Sequence, residues 1–212
     1  MGWNSEAWGI FFACILFVLF AGLLCDMAVR RYLKGAEGLP VTAGIAMAVA
    51  AVFIGIHGFS AAALRCTMIC HILILAGAVD MVTREIPDAF HLLIAMAGLI
   101  GFQPATALWG FLLVPLPFLA VALKTGKVGG GDVKLMAASG FALGASKGFW
   151  MLFWGLLMAL LWNSSIGKGR QNISMERQGT SQGEEDISPG KGSFPLAPFL
   201  AFGCFVALLP VS

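Results

Sequence analysis

The chain has 212 residues, is 59% hydrophobic and only 11% charged, and has a mean hydropathy of +0.89. A soluble domain carries about a quarter charged residues and a little under half apolar ones, so this composition belongs in a lipid bilayer. The net charge of +2, with no basic-aromatic patch, argues against nucleic acid as a partner.

A helix needs about 20 apolar residues to cross a bilayer core, within a range of about 17 to 25. Apolar runs at 8–29, 40–59, 66–83, 89–103, 105–123, 134–147, 148–162 and 194–210 predict an all-α, polytopic transmembrane helix bundle of about eight spans. The fourth, sixth and seventh runs are short. Residues 134–162 also fit one long or broken segment turning at Lys147 and Gly148, which makes the count seven. In the first run the basic residues Arg30, Arg31 and Lys34 follow the apolar stretch, the reverse of a signal peptide, so it reads as a helix that stays. Residues 163–193 are polar, rich in glycine and serine, and mixed in charge. Such a segment buries too little apolar area to order itself and is expected to be a flexible cytoplasmic loop. No repeat or second domain interrupts the single membrane domain expected over 1–212.

Charge orients the bundle. Eight spans with an external N-terminus place Arg30, Arg31, Lys34, Arg84, Lys124, Lys127, Lys134, Lys168, Arg170, Arg177 and Lys191 on one side. Only Arg65 and Lys147 fall on the other, 11 against 2 of the 13 basic residues. Lys and Arg accumulate in cytoplasmic loops. Both termini are therefore expected outside a plasma membrane, with the basic side in the cytoplasm. Trp3, Trp8, Trp109, Trp150, Trp154 and Trp162 mostly lie near span ends, as interfacial aromatic belts do.

No metal or cofactor is expected. Cys14, Cys25, Cys66, Cys70 and Cys204 lie in or beside apolar runs and form no C-x-x-C pair, so they read as small apolar residues. His57, His71 and His91 sit on different spans and form no ligand cluster. The stretch Gly126–Gly131 lacks the Gly-Lys-Ser/Thr order of a phosphate loop.

Of 11 acidic residues, Glu6, Glu37, Glu176, Glu184, Glu185 and Asp186 read as solvated, and Asp26 pairs with Arg30 one turn on. Asp80, Glu85, Asp88 and Asp132 remain, gathered at two inner-membrane boundaries. Asp80 closes a long apolar helix, where an ionisable group is costly and usually serves a pathway or a reaction. Pro87 ends or kinks the chain after it, and Asp88 is placed to cap the next helix through its side chain. At the second boundary Gly129, Gly130 and Gly131 give backbone freedom and allow close approach. Asp132 follows them at the start of an apolar helix, where it also fits as an ordinary N-cap. One acid ends an inward-running helix and the other begins an outward-running one, so the two share a depth. Two carboxylates sharing a proton can activate water and protonate a scissile carbonyl, titrating as a coupled unit. A small transporter with Asp80 and Asp132 as ion sites is the rival reading, but it favours mid-bilayer carboxylates and repeat symmetry, neither of which is found. A noncatalytic part of a secretion apparatus is another.

The run Gly129-Gly130-Gly131-Asp132-Val133-Lys134-Leu135 resembles the G-x-G-D-x-K-L signature of type IV prepilin peptidases, a branch of the GxGD membrane aspartyl proteases. Asp80 followed by Ile86-Pro87-Asp88 resembles the family's first aspartate and its I-P-N/D element. Phe194-Pro195-Leu196-Ala197-Pro198-Phe199-Leu200 resembles its proline-bearing approach to the last helix. These elements span roughly 66–210. The resemblance implies catalytic Asp80 and Asp132, with Gly129, Gly130, Gly131, Lys134, Pro87 and Asp88 at motif or substrate-binding positions; Lys134 also fits as a plain positive-inside residue. It implies prepilin-like substrates, cut on the cytoplasmic side between a basic leader and an N-terminal hydrophobic helix. Many members carry an insert with two C-x-x-C pairs after the first helix and methylate the new N-terminus. Only the short segment Arg30–Pro40 stands there, so a protease without methyltransferase activity or zinc is expected.

Overall fold

The computed structural model describes residues 23, 27, 41–58, 60–125, 129–177 and 195–209. All regular structure among them is helical: α1 (Val41–His57), α2 (Ala61–Thr83), α3 (Asp88–Gly98), α4 (Pro104–Leu113), α5 (Leu116–Thr125), α6 (Gly130–Arg177) and α7 (Ala197–Leu208). The expected first span, 8–29, lies outside the described residues except for helical positions 23 and 27, as do both chain ends.

Local chemistry sets the boundaries. Ser60 is extended and its hydroxyl accepts the Ala63 N–H at 3.2 Å, an N-cap that starts α2 at Ala61. The helix thus begins five residues before the hydropathy boundary and takes in Arg65. That guanidinium donates to the carbonyls of Gly101, at 3.3 Å, and Ala142, so a charge near the apolar layer is met by backbone oxygens. Pro104 opens α4 at a position where its missing N–H costs nothing. A turn at Val114–Pro115 separates α4 from α5, and Pro104–Lys124 still forms one apolar stretch.

α6 is broken at Gly144, whose φ of 80° and ψ of 170° are not helical. A methyl on Gly140 would stand 2.9 Å from Val114 Cβ, and one on Gly148 would stand 2.6 Å from Val114 Cγ2. Eight residues of unbroken helix would separate those positions by about 12 Å, so the chain folds back at Gly144. The arms 130–143 and 145–164 run antiparallel, which favours two short spans over one long one. The turn comes at Gly144, before Lys147 and Gly148, because only a glycine takes that positive φ without strain. The helix then continues to Arg177, into the stretch where a loop is expected from residue 163; residues 178–193 lie outside the described residues. Low apolar content forbids a packed core but does not stop a helix already nucleated upstream from propagating.

α7 packs against α2 and α6, α3 bridges the same two, α4 lies on α6, and α1 flanks α2. Phe53, Ile69, Leu73, Ile94, Leu135, Met136, Met151 and Leu200 are fully buried between them. The α4–α6 crossing is made by glycines: a Cβ on Gly110 would lie 2.0 Å from the Gly140 carbonyl oxygen. Gly110→Val is therefore expected to cost about 3 kcal/mol through overpacking against backbone. Thermal unfolding of the purified protein in detergent measures it, and an unchanged midpoint would show that the crossing is looser than this.

The outer face is apolar. Leu108, Trp109, Leu123 and Leu160 are 58%, 59%, 80% and 66% exposed, a pattern soluble monomers rarely show over a large area. Among the described residues three stretches, Ala61–Met81, Pro104–Lys124 and Gly130–Ser164, are long and apolar enough to cross a membrane.

Candidate active site

Asp80 lies one turn before the end of α2, yet only 6% of it is exposed. Its cover comes from α7. The Ala197 N–H, at the start of that helix, donates to Asp80 Oδ2 at 3.2 Å. Helix N-termini hold amides with no intrahelical acceptor and a positive dipole end, which suits a carboxylate. This approach requires Gly77. A Cβ there would stand 2.9 Å from Pro198 Cα, so the first turn of α7 rests directly on the backbone of α2.

After Asp80 the helix closes tightly. Arg84 adopts the left-handed conformation, φ 59° and ψ 21°, and its N–H donates to the Asp80 carbonyl at 3.0 Å. The Thr83 hydroxyl lies 3.0 Å from the Val79 carbonyl oxygen and 2.9 Å from that of Glu85. The exit loop is thereby fastened to the helix it leaves.

Asp132 is the third residue of α6, not its N-cap, since the helix begins at Gly130. Its own N–H donates to the Gly129 carbonyl at 3.1 Å, and its carboxylate accepts a backbone hydrogen bond from Gly129. That reach back to the capping residue's amide is the acidic half of a capping box. The Asp80 carboxylate is close enough to act electrostatically on Asp132.

Two contacts join the loops that carry these acids. A Cβ on Gly131 would lie 3.8 Å from Ile86 Cβ, so the glycine run abuts the Ile86-Pro87 segment. Lys134 Nζ also donates to Asp88 Oδ1 at 2.8 Å. Pro87 occupies the N-cap of α3 and makes no side-chain cap; Asp88, expected to cap that helix, turns across to Lys134 instead, an ionic partner outbidding a neutral amide. Hydrogen bonding from the Lys134 ammonium, aided by His91 with Nδ1 3.3 Å from Asp88 Oδ1, holds the Asp88 carboxyl below its ordinary value. The pair is thus in place at neutral pH and releases only as the pH falls through that lowered value.

Asp80, Ile86, Pro87, Asp88, Gly129, Gly130, Gly131, Asp132 and Lys134 therefore gather at one end of the bundle. Glu85 is exposed and enters only through its backbone. Among the described residues no group of histidine, cysteine or acidic side chains is arranged to hold a metal ion. The Ala197 amide and Gly77 belong to the site too; the sequence offers Ala197 only as part of the proline-bearing run, with no role for its amide, and does not single out Gly77. Proline just ahead of an apolar run marks a helix start with free amides, and that signal at Pro195 and Pro198 points to the first of them.

The profile of the type IV leader peptidase family matches residues 67–164, a stretch holding both aspartates, Ile86–Asp88 and Gly129–Lys134. The proline-bearing approach to α7 lies beyond it. No curated protein and no solved structure matches the chain.

Proposed function

With residues 67–164 belonging to the type IV leader peptidase family, we propose that the chain is a membrane aspartyl endopeptidase that removes the basic leader of prepilin-like proteins. What supports this reading is the placement of Asp80 and Asp132, on separate helices and within electrostatic reach, at one end of an apolar bundle.

The mechanism follows from one shared proton. The ionised carboxylate takes a proton from water as the water oxygen attacks the scissile carbonyl carbon, and the protonated one gives its proton to the carbonyl oxygen. The tetrahedral intermediate collapses as the C–N bond breaks. The proton taken from water passes to the leaving amine, and the hydroxyl proton of the intermediate returns to the other carboxylate, which restores the pair. The amides of Ala197 and Gly129 would hold the two carboxyls in position throughout. Gly129, Gly130 and Gly131 leave room for an extended substrate backbone beside Asp132; among the described residues nothing lies within 4 Å of a Cβ placed on Gly130. The Asp88–Lys134 pair would hold the two loops in register.

The proposed setting is the plasma membrane, with eight spans, both termini outside and the aspartates at the cytoplasmic face. The 11-to-2 distribution of basic residues supports it, as does the fold-back at Gly144, which keeps the span count even. Proteolysis without N-methylation is proposed because no C-x-x-C insert follows the first apolar run.

The test is co-expression with a prepilin-like substrate, a short basic leader followed by a hydrophobic helix, and mapping of its N-terminus by mass spectrometry. One cut at the leader boundary, with an unmethylated new N-terminus, is expected. An untouched substrate beside correctly inserted protein would end the assignment.

A further inference from the structure

At the end of the bundle away from the aspartates lies a cavity of about 540 Å³, lined by His57, Arg65, Gln103, Thr106, Ser146 and Lys147 among others. Arg65 stands fifteen residues before Asp80 on α2, about 22 Å at helical rise. Lys147 stands fifteen residues after Asp132, just past the Gly144 turn. The two basic residues that the charge pattern isolates from the other eleven thus line one cavity. We propose that it binds a phosphate-bearing anion, which in the orientation above comes from an outer-leaflet phospholipid headgroup or from free phosphate.

Four features carry this. Among the described residues no carboxylate lines the cavity beside its two cations. The Arg65 guanidinium gives one hydrogen bond each to the Gly101 and Ala142 carbonyls. It has five N–H donors in a rigid fork, so donors remain for a multidentate oxyanion. Gln103, Thr106 and Ser146 add neutral hydrogen-bonding groups to the lining. The volume falls within the range of about 300–1,000 Å³ usual for small-ligand pockets, and apolar Ile69 and Leu208 are among its walls.

The test is native mass spectrometry of the full chain in detergent, offered phosphatidylglycerol, phosphatidylcholine or inorganic phosphate. Phosphatidylglycerol is expected to be retained over phosphatidylcholine, and Lys147→Gln is expected to weaken retention about tenfold, the loss of one charge-assisted contact. Lys124→Gln, an exposed lysine outside the cavity, is expected to leave retention unchanged. Displacement of the lipid by millimolar inorganic phosphate would assign the site to free phosphate, and resistance to it would assign the site to the lipid headgroup. Arg65→Gln risks the fold, because Arg65 also secures Gly101 and Ala142; Lys147 is exposed and carries no such duty. Equal retention of both lipids with no phosphate bound, or wild-type retention by folded Lys147→Gln, overturns the proposal. No cleavage is read, so that result leaves the peptidase reading standing.

Discussion

Asp80→Asn and Asp132→Asn are each expected to lower leader cleavage about 10⁴-fold or more, the usual scale for losing one member of a catalytic unit. The amide is nearly isosteric and retains an acceptor oxygen. The Ala197 N–H at 3.2 Å from Asp80, and the Gly129 amide behind Asp132, can still be met. Membrane insertion and thermal stability should therefore stay near wild type while proton exchange is lost. Rates come from purified variants reconstituted with a prepilin-like substrate and followed by gel shift. Lys134→Gln, which breaks the 2.8 Å contact with exposed Asp88, should cost only about tenfold, since it loosens loop register without removing a reacting group. A tenth or more of wild-type rate in either Asn variant would leave only a structural role for that aspartate: Asp132 as the acidic half of a helix cap, Asp80 as an anchor for α7.

The different fates of Asp80 and Asp132 in the sequence show what a linear reading can reach. A carboxylate in the last turn of a long apolar helix, and another behind three glycines at the start of the next, stand out from local pattern alone. Both lie where that pattern puts them, α2 ending at Thr83 and α6 beginning at Gly130. Residues 67–164 give the family profile the same local information. Pro195 and Pro198 mark a helix start with free amides, but nothing in the sequence pairs one of those amides with Asp80. Its partner is a backbone amide 117 residues away, and a backbone group carries no letter of its own. Gly77 is one of many glycines in the chain, and only the contact with Pro198 distinguishes it. Asp88 went to an ion pair instead of a cap because Lys134, 46 residues on, is brought beside it by tertiary packing. The turn at Gly144 precedes the residues that mark it in the sequence, for a related reason. The sequence marks Lys147 and Gly148 as the break, whereas the backbone reverses at Gly144, the residue that adopts φ 80°.

Gly77→Val is expected to reduce cleavage by about 10² to 10³-fold even though residue 77 touches no reacting atom, the scale seen when a preorganised donor is removed or a reacting group moves by about 1 Å. A Cβ on Gly77 would stand 2.9 Å from Pro198 Cα, 3.0 Å from its nitrogen and 3.3 Å from its Cβ. All three atoms belong to a rigid ring or to backbone, so a rotamer change cannot relieve the clash. The start of α7 must move away from α2, carrying the Ala197 amide off Asp80 Oδ2. The buried carboxylate then loses its donor, and water or a new rotamer takes its place. Gly77→Ala should give a milder loss, about tenfold, because a single methyl asks for a smaller displacement. It also serves as the folded comparison should valine prevent insertion. Rates normalised to inserted protein, together with unfolding midpoints, separate the two effects: displacement predicts a rate loss larger than the stability loss explains. Full activity in a folded Gly77→Val protein would show that Asp80 needs nothing from α7, and the site would shrink to the two loops that meet at Ile86 and Gly131.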